Sequence, residues 1–351
     1  MIDPTAEILR NRLAQWRRAN PHAFILDAAD REGLAGWLRA AGVLAETESV
    51  CAAAKAGAGN MNCTIRVVTP HRSFIVKQAR PWVEKYPQFD APWDRALREM
   101  EFYAAAAASE SVAAGLPRLL HGDRIAHVLV LEDLGSNGDY SDLYRGGTFT
   151  VAEVKALAAW LSDLHGAFGH QADRPGLANR ELRALNSQHI FFLPFQPDNG
   201  LDLEAITPGL GAVAAALQRD HVLVDRVRDL AAVYLADGPC LLHGDYFPGS
   251  FLRTSQGPRI IDPEFAFFGR PEFDPAVFTA HLMLANQPPA LAEFFLQVYR
   301  RPLGFDEALM RRLTGTEVIR RLIGYAQLPL NHDLGPKTRL LAAARDLVLA
   351  P

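Results

Sequence analysis

LLHGDYFPGSFLRTSQGPRIIDPEFAFFGRPEFD, residues Leu241 to Asp274, carries two acidic turns, each placed behind a short apolar run. The first is His243-Gly244-Asp245. The second, Asp262-Pro263-Glu264, follows Arg259-Ile260-Ile261. An aspartate in a loop is ordinarily a turn former, but two strand ends that each deliver a carboxylate toward one pocket ask for a chemical reason. Phosphoryl transfer supplies one, because that chemistry is mostly positioning and charge neutralisation. Asp245 can orient a hydroxyl, and Asp262, seventeen residues later, can hold Mg²⁺.

The chain outside this stretch is long enough for two lobes. Its 351 residues, 49% hydrophobic, support a substantial core. A formal net charge of -4 with acids and bases interspersed argues against a nucleic-acid surface, which relies on clustered Lys and Arg. Cys51, Cys63 and Cys240 are odd in number and form no CxxC pair, so neither a disulfide framework nor a zinc site is expected. The N-terminal MIDPTAEILRNRLAQWRRAN has no apolar signal core, and no run approaches the ~20 apolar residues of a membrane span. A cytoplasmic protein with a small-molecule substrate, and with neither nucleic acid nor membrane as partner, is the expectation.

Working outward, residues 5 to 19 and 30 to 41 show helical periodicity. Short β-type runs then cover Val50 to Ala56, Cys63 to Thr69 and Ser73 to Ala79, forming a small antiparallel sheet. The turn Gly57-Ala58-Gly59-Asn60-Met61-Asn62 joins the first two. It serves either as a hairpin or as a Gly-rich loop whose N–H groups approach a phosphate. Lys77 on the third strand is either a solvated residue or a phosphate ligand, and as a ligand it needs an acidic partner. Glu99 and Glu101, in a helix starting at Asp94, point about 200° apart, so one alone can serve. Glu99 is the preferred partner.

Leu116 to His121 and Ala126 to Leu131 read as two further strands. They lead into Glu132-Asp133-Leu134-Gly135, a hinge whose backbone suits an adenine edge. Residues 1–135 are therefore expected to form an N-terminal nucleotide-binding lobe and 136–351 a mainly helical catalytic and substrate lobe. In the latter, Val151 to Phe168 is a helix whose His165 is read as packing or hydrogen-bonding. Gln188 to Gly209, rich in aromatics, Pro and Asn-Gly, is read as a loop that lines either an acceptor pocket or the core. Helices follow at 210–219, 222–236, 275–285, 291–299, 306–328 and 337–349. In Glu317-Val318-Ile319-Arg320-Arg321-Leu322-Ile323-Gly324, two adjacent arginines about 100° apart lie in an apolar stripe. One of them must approach the core and meet an anionic or hydroxyl-rich partner, either a protein salt bridge or a ligand.

Taken together, GAGNMN, IVKQARPWV, LEDL, HGDYFPGS, DPEFAFFGRPEFD and EVIRRLIGYA resemble the protein-kinase-like small-molecule kinases, the superfamily of aminoglycoside phosphotransferases and choline kinases. The methylthioribose kinase branch is the nearest in likeness, which runs from about Gly57 to about Ala326. HGDxxxGS followed by IDPEFAFxG is the most specific part. The resemblance implies an α+β, two-lobe fold: an N-lobe antiparallel sheet with helices and a helical C-lobe.

It also implies an ATP- and Mg²⁺-dependent phosphotransferase acting on a hydroxyl of a small sugar-like metabolite, S-methyl-5-thioribose being the first choice. Other sugars, amino alcohols, aminoglycosides, or a non-catalytic ligand-binding role are the alternatives. By the same likeness Asp245 is the base. Gly57, Gly59, Asn60, Asn62, Lys77, Glu99, Glu132 and Leu134 belong to the ATP site. Asp262, Glu264 and Ser250 belong to the metal, and Arg320 and Arg321 hold the sugar. A homodimer is allowed. Three departures stand beside the transferred group and bear on the acceptor. Ser250 replaces the Asn of protein and aminoglycoside kinases, as in the methylthioribose branch. Tyr246-Phe247-Pro248 replaces Leu-His-Thr, and Gly269-Arg270-Pro271-Glu272-Phe273-Asp274 replaces Gly-Pro-Met-Gly-Phe-Asp.

Overall fold

The structure, a computed structural model, describes residues 4–57, 59, 61–168 and 174–351. By their contacts the residues divide into two units, 1–108 with 116–138, and 109–115 with 139–351. No helix among the described residues is long and apolar enough to cross a membrane.

The first unit opens with α1 (Pro4–Ala19) and α2 (Arg31–Ala40), the latter capped by Asp30, which accepts from the Gly33 N–H. Five strands follow: β1 (Ala52–Lys55), β2 (Cys63–Val68), β3 (Ser73–Gln78), β4 (Leu119–Asp123) and β5 (Val128–Glu132). They form one antiparallel sheet in the order β1-β2-β3-β5-β4. Period-2 alternation sorts β3 into two faces. Phe74 and Val76 enter a core with Leu34 and Leu38 of α2 and with Val128 and Val130 of β5. Lys77 therefore points to the opposite face, where α3 (Arg95–Ala106) presents Glu99.

The second unit begins at α4 (Glu110–Ala114), which sits against α5 (Val151–Ala167). Trp160 Nε1 donates to the Val112 carbonyl at 2.9 Å, and α5 starts on a Thr150/Glu153 capping box. Next come α6 (Arg180–Ser187), α7 (Leu203–Ile206), α8 (Leu210–Gln218) and α9 (His221–Leu235). Four short strands, β6 (Cys240–Leu242), β7 (Phe251–Thr254), β8 (Gly257–Ile260) and β9 (Phe267–Gly269), pair as β6 with β9 and β7 with β8. Helices α10 (Phe273–Leu284), α11 (Pro289–Val298), α12 (Glu307–Ile323) and α13 (Leu334–Leu349) complete it around a core that includes Val227, Leu242, Val277, Ile319 and Val348.

Two expectations change. The segment Gln188–Gly209 is not one loop: α6 runs on through a π-helical turn, Gln188–Phe192, and a 3₁₀ turn, Leu193–Phe195, before α7. Burial of Phe191 and Phe195 explains the aromatic content, and Asp202 caps α7 by accepting from Ala205 N–H at 3.0 Å. Helix α12 ends at Ile323, not at Leu328, because Gly324 turns extended while its N–H still reaches the Arg320 carbonyl.

Candidate active site

The two acidic turns of the second unit are tied together by backbone. After β6 the chain turns at Gly244, whose φ of +82° and approach to the Phe265 carbonyl leave no room for a Cβ. His243 Nε2 lies 3.0 Å from the Ile261 carbonyl, and the Asp245 N–H lies 3.4 Å from His243 Nδ1. Burial lowers the pKa of His243, so the neutral ring donates at Nε2 and accepts at Nδ1. Ile261 N–H also donates to the Ser250 carbonyl at 2.9 Å. The Asp245 turn and the Asp262 turn are thus held at one fixed separation.

Asp274, at the start of α10, completes the frame. Its carboxylate accepts from His243 N–H at 2.7 Å, from Gly244 N–H at 2.9 Å and from His165 Nε2 at 3.1 Å. It is fully buried, and its charge is spread over three donors. His165 has the hydrogen-bonding role expected from its place on α5.

Asp262 sits in the left-handed region, φ +61°, a conformation uncommon for a side-chain-bearing residue and concentrated at functional sites. Glu264 is buried, and the carbonyls of Glu264 and Ala266 both accept from Asn179 Nδ2, at 2.8 and 3.1 Å. Among the described residues no group of three or more His, Cys, Asp or Glu side chains is arranged to hold a metal. Two hard carboxylates nevertheless suit Mg²⁺, which commonly takes one or two carboxylates plus substrate phosphates. Ser250 is buried in a 3₁₀ turn, Pro248–Ser250.

Asp245 meets the two adjacent arginines near the C-terminal end of α12. Arg321 Nη2 lies 3.3 Å and Arg320 Nη2 3.9 Å from its Oδ1. Burial pushes the Asp245 carboxyl up to about 6; Arg321 and Arg320 pull the other way, and Glu317 and Glu264 add to the rise. The arginines also meet Glu317: Arg320 Nε on Oε2, and Arg321 Nε on Oε1 at 2.7 Å. The Arg321 guanidinium lies over the Phe247 ring at 4.8 Å from its centroid, so part of the Tyr246-Phe247-Pro248 departure touches this cluster directly.

In the first unit Lys77 Nζ lies 2.6 Å from Glu99 Oε2, both buried. Glu101 instead pairs with Arg98 and Arg124. Gly57, at φ +69°, and Gly59 are exposed in the β1–β2 turn; Asn60 lies outside the described residues. Asn62 is buried and its Oδ1 accepts from Arg95 Nε at 2.9 Å, which ties the turn to the first residue of α3. Glu132 ends β5 with its carboxylate on Arg118 N–H at 3.1 Å. The next residue, Asp133, is clamped by Arg66, leaving Leu134 half-buried beyond it.

Asp274, Asn179 and Glu317 received no role from the sequence. Glu317 had a legible signal, since it precedes the two arginines by three and four residues, the helical neighbour spacings. Asp274 and Asn179 act through backbone groups far away in the chain, which spacing does not reveal.

A profile of a phosphotransferase enzyme family matches residues 53–313. The methylthioribose kinase of Exiguobacterium sibiricum is 29% identical over 251 residues, 66% of this chain and 61% of that one, so the chain matches under two thirds of that relative's length. The methylthioribose kinase of a Geobacillus species, strain WCH70, is 28% identical over 335 residues, 82% of each chain. The solved AMP-bound complex of a spectinomycin phosphotransferase shares the fold, with a TM-score of 0.53, 14% identity, and coverage of 91% of this chain and 98% of that one.

Proposed function

The chain belongs to the phosphotransferase enzyme family, and from that premise we propose that it transfers the γ-phosphoryl group of ATP to a hydroxyl of a small, neutral, sugar-like metabolite, S-methyl-5-thioribose before others. The observation that carries this is the convergence of Arg320 and Arg321 on the Asp245 carboxylate. A pocket for a cationic aminoglycoside would be expected to gather acids around the base, whereas here two guanidinium groups stand beside it.

Asp245 accepts the proton of the acceptor hydroxyl as the oxygen attacks. Arg320 and Arg321 present donors to the remaining sugar oxygens. Lys77, oriented by Glu99, neutralises nucleotide phosphate charge, and Gly57 and Gly59 permit close backbone approach. The segment Glu132 to Leu134 offers backbone groups to the adenine. Asp262 and Glu264, with Ser250 nearby in sequence to the base, hold Mg²⁺, which when bound supplies charge neutralisation on the phosphate oxygens.

The test is ADP release from ATP and Mg²⁺ with a panel comprising S-methyl-5-thioribose, other pentoses, choline and an aminoglycoside. Turnover with the thioribose above all others is the expected result. ATP binding without turnover on any acceptor would favour a binding protein and overturn the proposal.

A further inference from the structure

Behind the arginine pair lies a buried chain of polar groups that the proposed chemistry does not use. The Tyr144 hydroxyl, on a 3₁₀ turn at Ser141–Arg145, contacts His281 Nδ1 on α10. His281 Nε2 lies 3.1 Å from Glu317 Oε1 on α12. Glu317 in turn takes the Nε of both Arg320 and Arg321. His281 and Glu317 are 0% and 2% exposed at their side chains, so no bulk water competes for these bonds.

The directions follow from the chemistry of each group. A carboxylate only accepts, so His281 donates at Nε2. Burial holds His281 neutral, its pKa pushed down to about 4 although its bond to Glu317 opposes this, which leaves Nδ1 to accept the Tyr144 proton. Burial alone would raise the Glu317 carboxyl. The two guanidinium groups overturn that and hold it well below the usual carboxylate range, ionised at every working pH.

We infer that Glu317 is a positioning residue: by binding the Nε edge of both guanidinium groups, with His281 and Tyr144 fixing its own orientation, it aims their Nη edges at Asp245 and the acceptor. Side-chain torsions alone leave an arginine many rotamers, and two adjacent arginines 100° apart would diverge. One carboxylate with two oxygens brings them onto the same side. The Phe247 ring beneath Arg321, and against His281 at 5.0 Å between centroids, closes the remaining direction. The inference deepens the proposed function and rests on it for the acceptor, but not for the geometry.

Steady-state kinetics on Glu317→Gln, Glu317→Asp and Tyr144→Phe test it, with the acceptor that gives most turnover in the wild type. An amide has one oxygen for the three donors now shared between two. Glu317→Gln is therefore expected to raise the acceptor KM at least tenfold while the ATP KM stays within twofold. Glu317→Asp should recover part of the loss, and Tyr144→Phe, which deletes one distal hydroxyl, should raise the acceptor KM a few-fold. Unchanged acceptor KM in folded Glu317→Gln, or parallel rises in both KM values, would overturn the inference.

A second readout needs no acceptor. In protein labelled with ¹⁵N-arginine, the Nε–H signals of Arg320 and Arg321, assigned through Arg320→Lys and Arg321→Lys, are expected to exchange slowly in the wild type. They should exchange at least tenfold faster in Glu317→Gln and measurably faster in Tyr144→Phe. Retained protection in both variants contradicts the positioning role. Failure of every acceptor with normal arginine protection would overturn the proposed function and leave the positioning role of Glu317 standing.

Discussion

Asp245 is the residue on which chemistry and environment meet. A carboxyl pushed up to about 6 keeps its proton to a higher pH than an ordinary aspartate and is ionised above that point. In the proposed reaction the ionised form accepts the hydroxyl proton, so kcat/KM should fall as pH drops through about 6, by about tenfold per unit below it. A pH–rate profile checks this: the acid limb should lie near 6 in the wild type, and a limb near 4 would contradict the environment described. Arg320→Ala removes one of the two charges beside the base and should raise the acceptor KM; an unchanged value would remove Arg320 from the acceptor site. The sequence exposed Asp245 because the HGD turn is short and local; for Lys77, helix periodicity showed that one of Glu99 and Glu101 alone could serve, and the packing of α3 decides for Glu99. It did not expose Glu317 as a partner of both arginines, although the spacing of three and four residues was there to be read.

At the scale of elements, the Asp245 turn depends on the first turn of α10. Asp274 gathers two backbone N–H groups and a histidine within a fully buried site. Asp274→Ala should strand these donors and cost about 3–5 kcal/mol of stability. Urea denaturation would register it as a lower midpoint with an unchanged slope, and a loss under 1 kcal/mol would mean that the turn is held by other contacts. Such an element-to-element tie joins β6, α5 and α10, segments up to 109 residues apart, and no local pattern encodes it. The same limit misled the reading of Gln188–Gly209. Aromatics with Pro and Asn-Gly suggested a loop, whereas burial of Ile190 and Phe191 recruits the segment into a π-helical turn continuous with α6.

For the whole molecule, the sheet of the first unit and the helices of the second were legible from the change of period near residue 136, because periods of 2.0 and 3.6 are properties of sequence. Short strands such as β7 and β9, of four and three residues, were not, because they exist only through their partners β8 and β6. Nucleotide binding should stabilise the folded chain by about 2.7 kcal/mol at a hundredfold excess over Kd. A thermal melt with ATP should therefore shift upward with Mg²⁺ present, and much of that shift should vanish on adding EDTA; a shift indifferent to EDTA would argue against Asp262 and Glu264 as metal ligands.

The most direct test follows the transferred group itself. ³¹P NMR of a mixture of enzyme, ATP, Mg²⁺ and S-methyl-5-thioribose should show a new phosphate monoester growing in step with ADP, and its rate should fall at least a thousandfold in Asp245→Asn. Full activity in Asp245→Asn, or ADP accompanied only by inorganic phosphate, would contradict a kinase that uses Asp245 as its base.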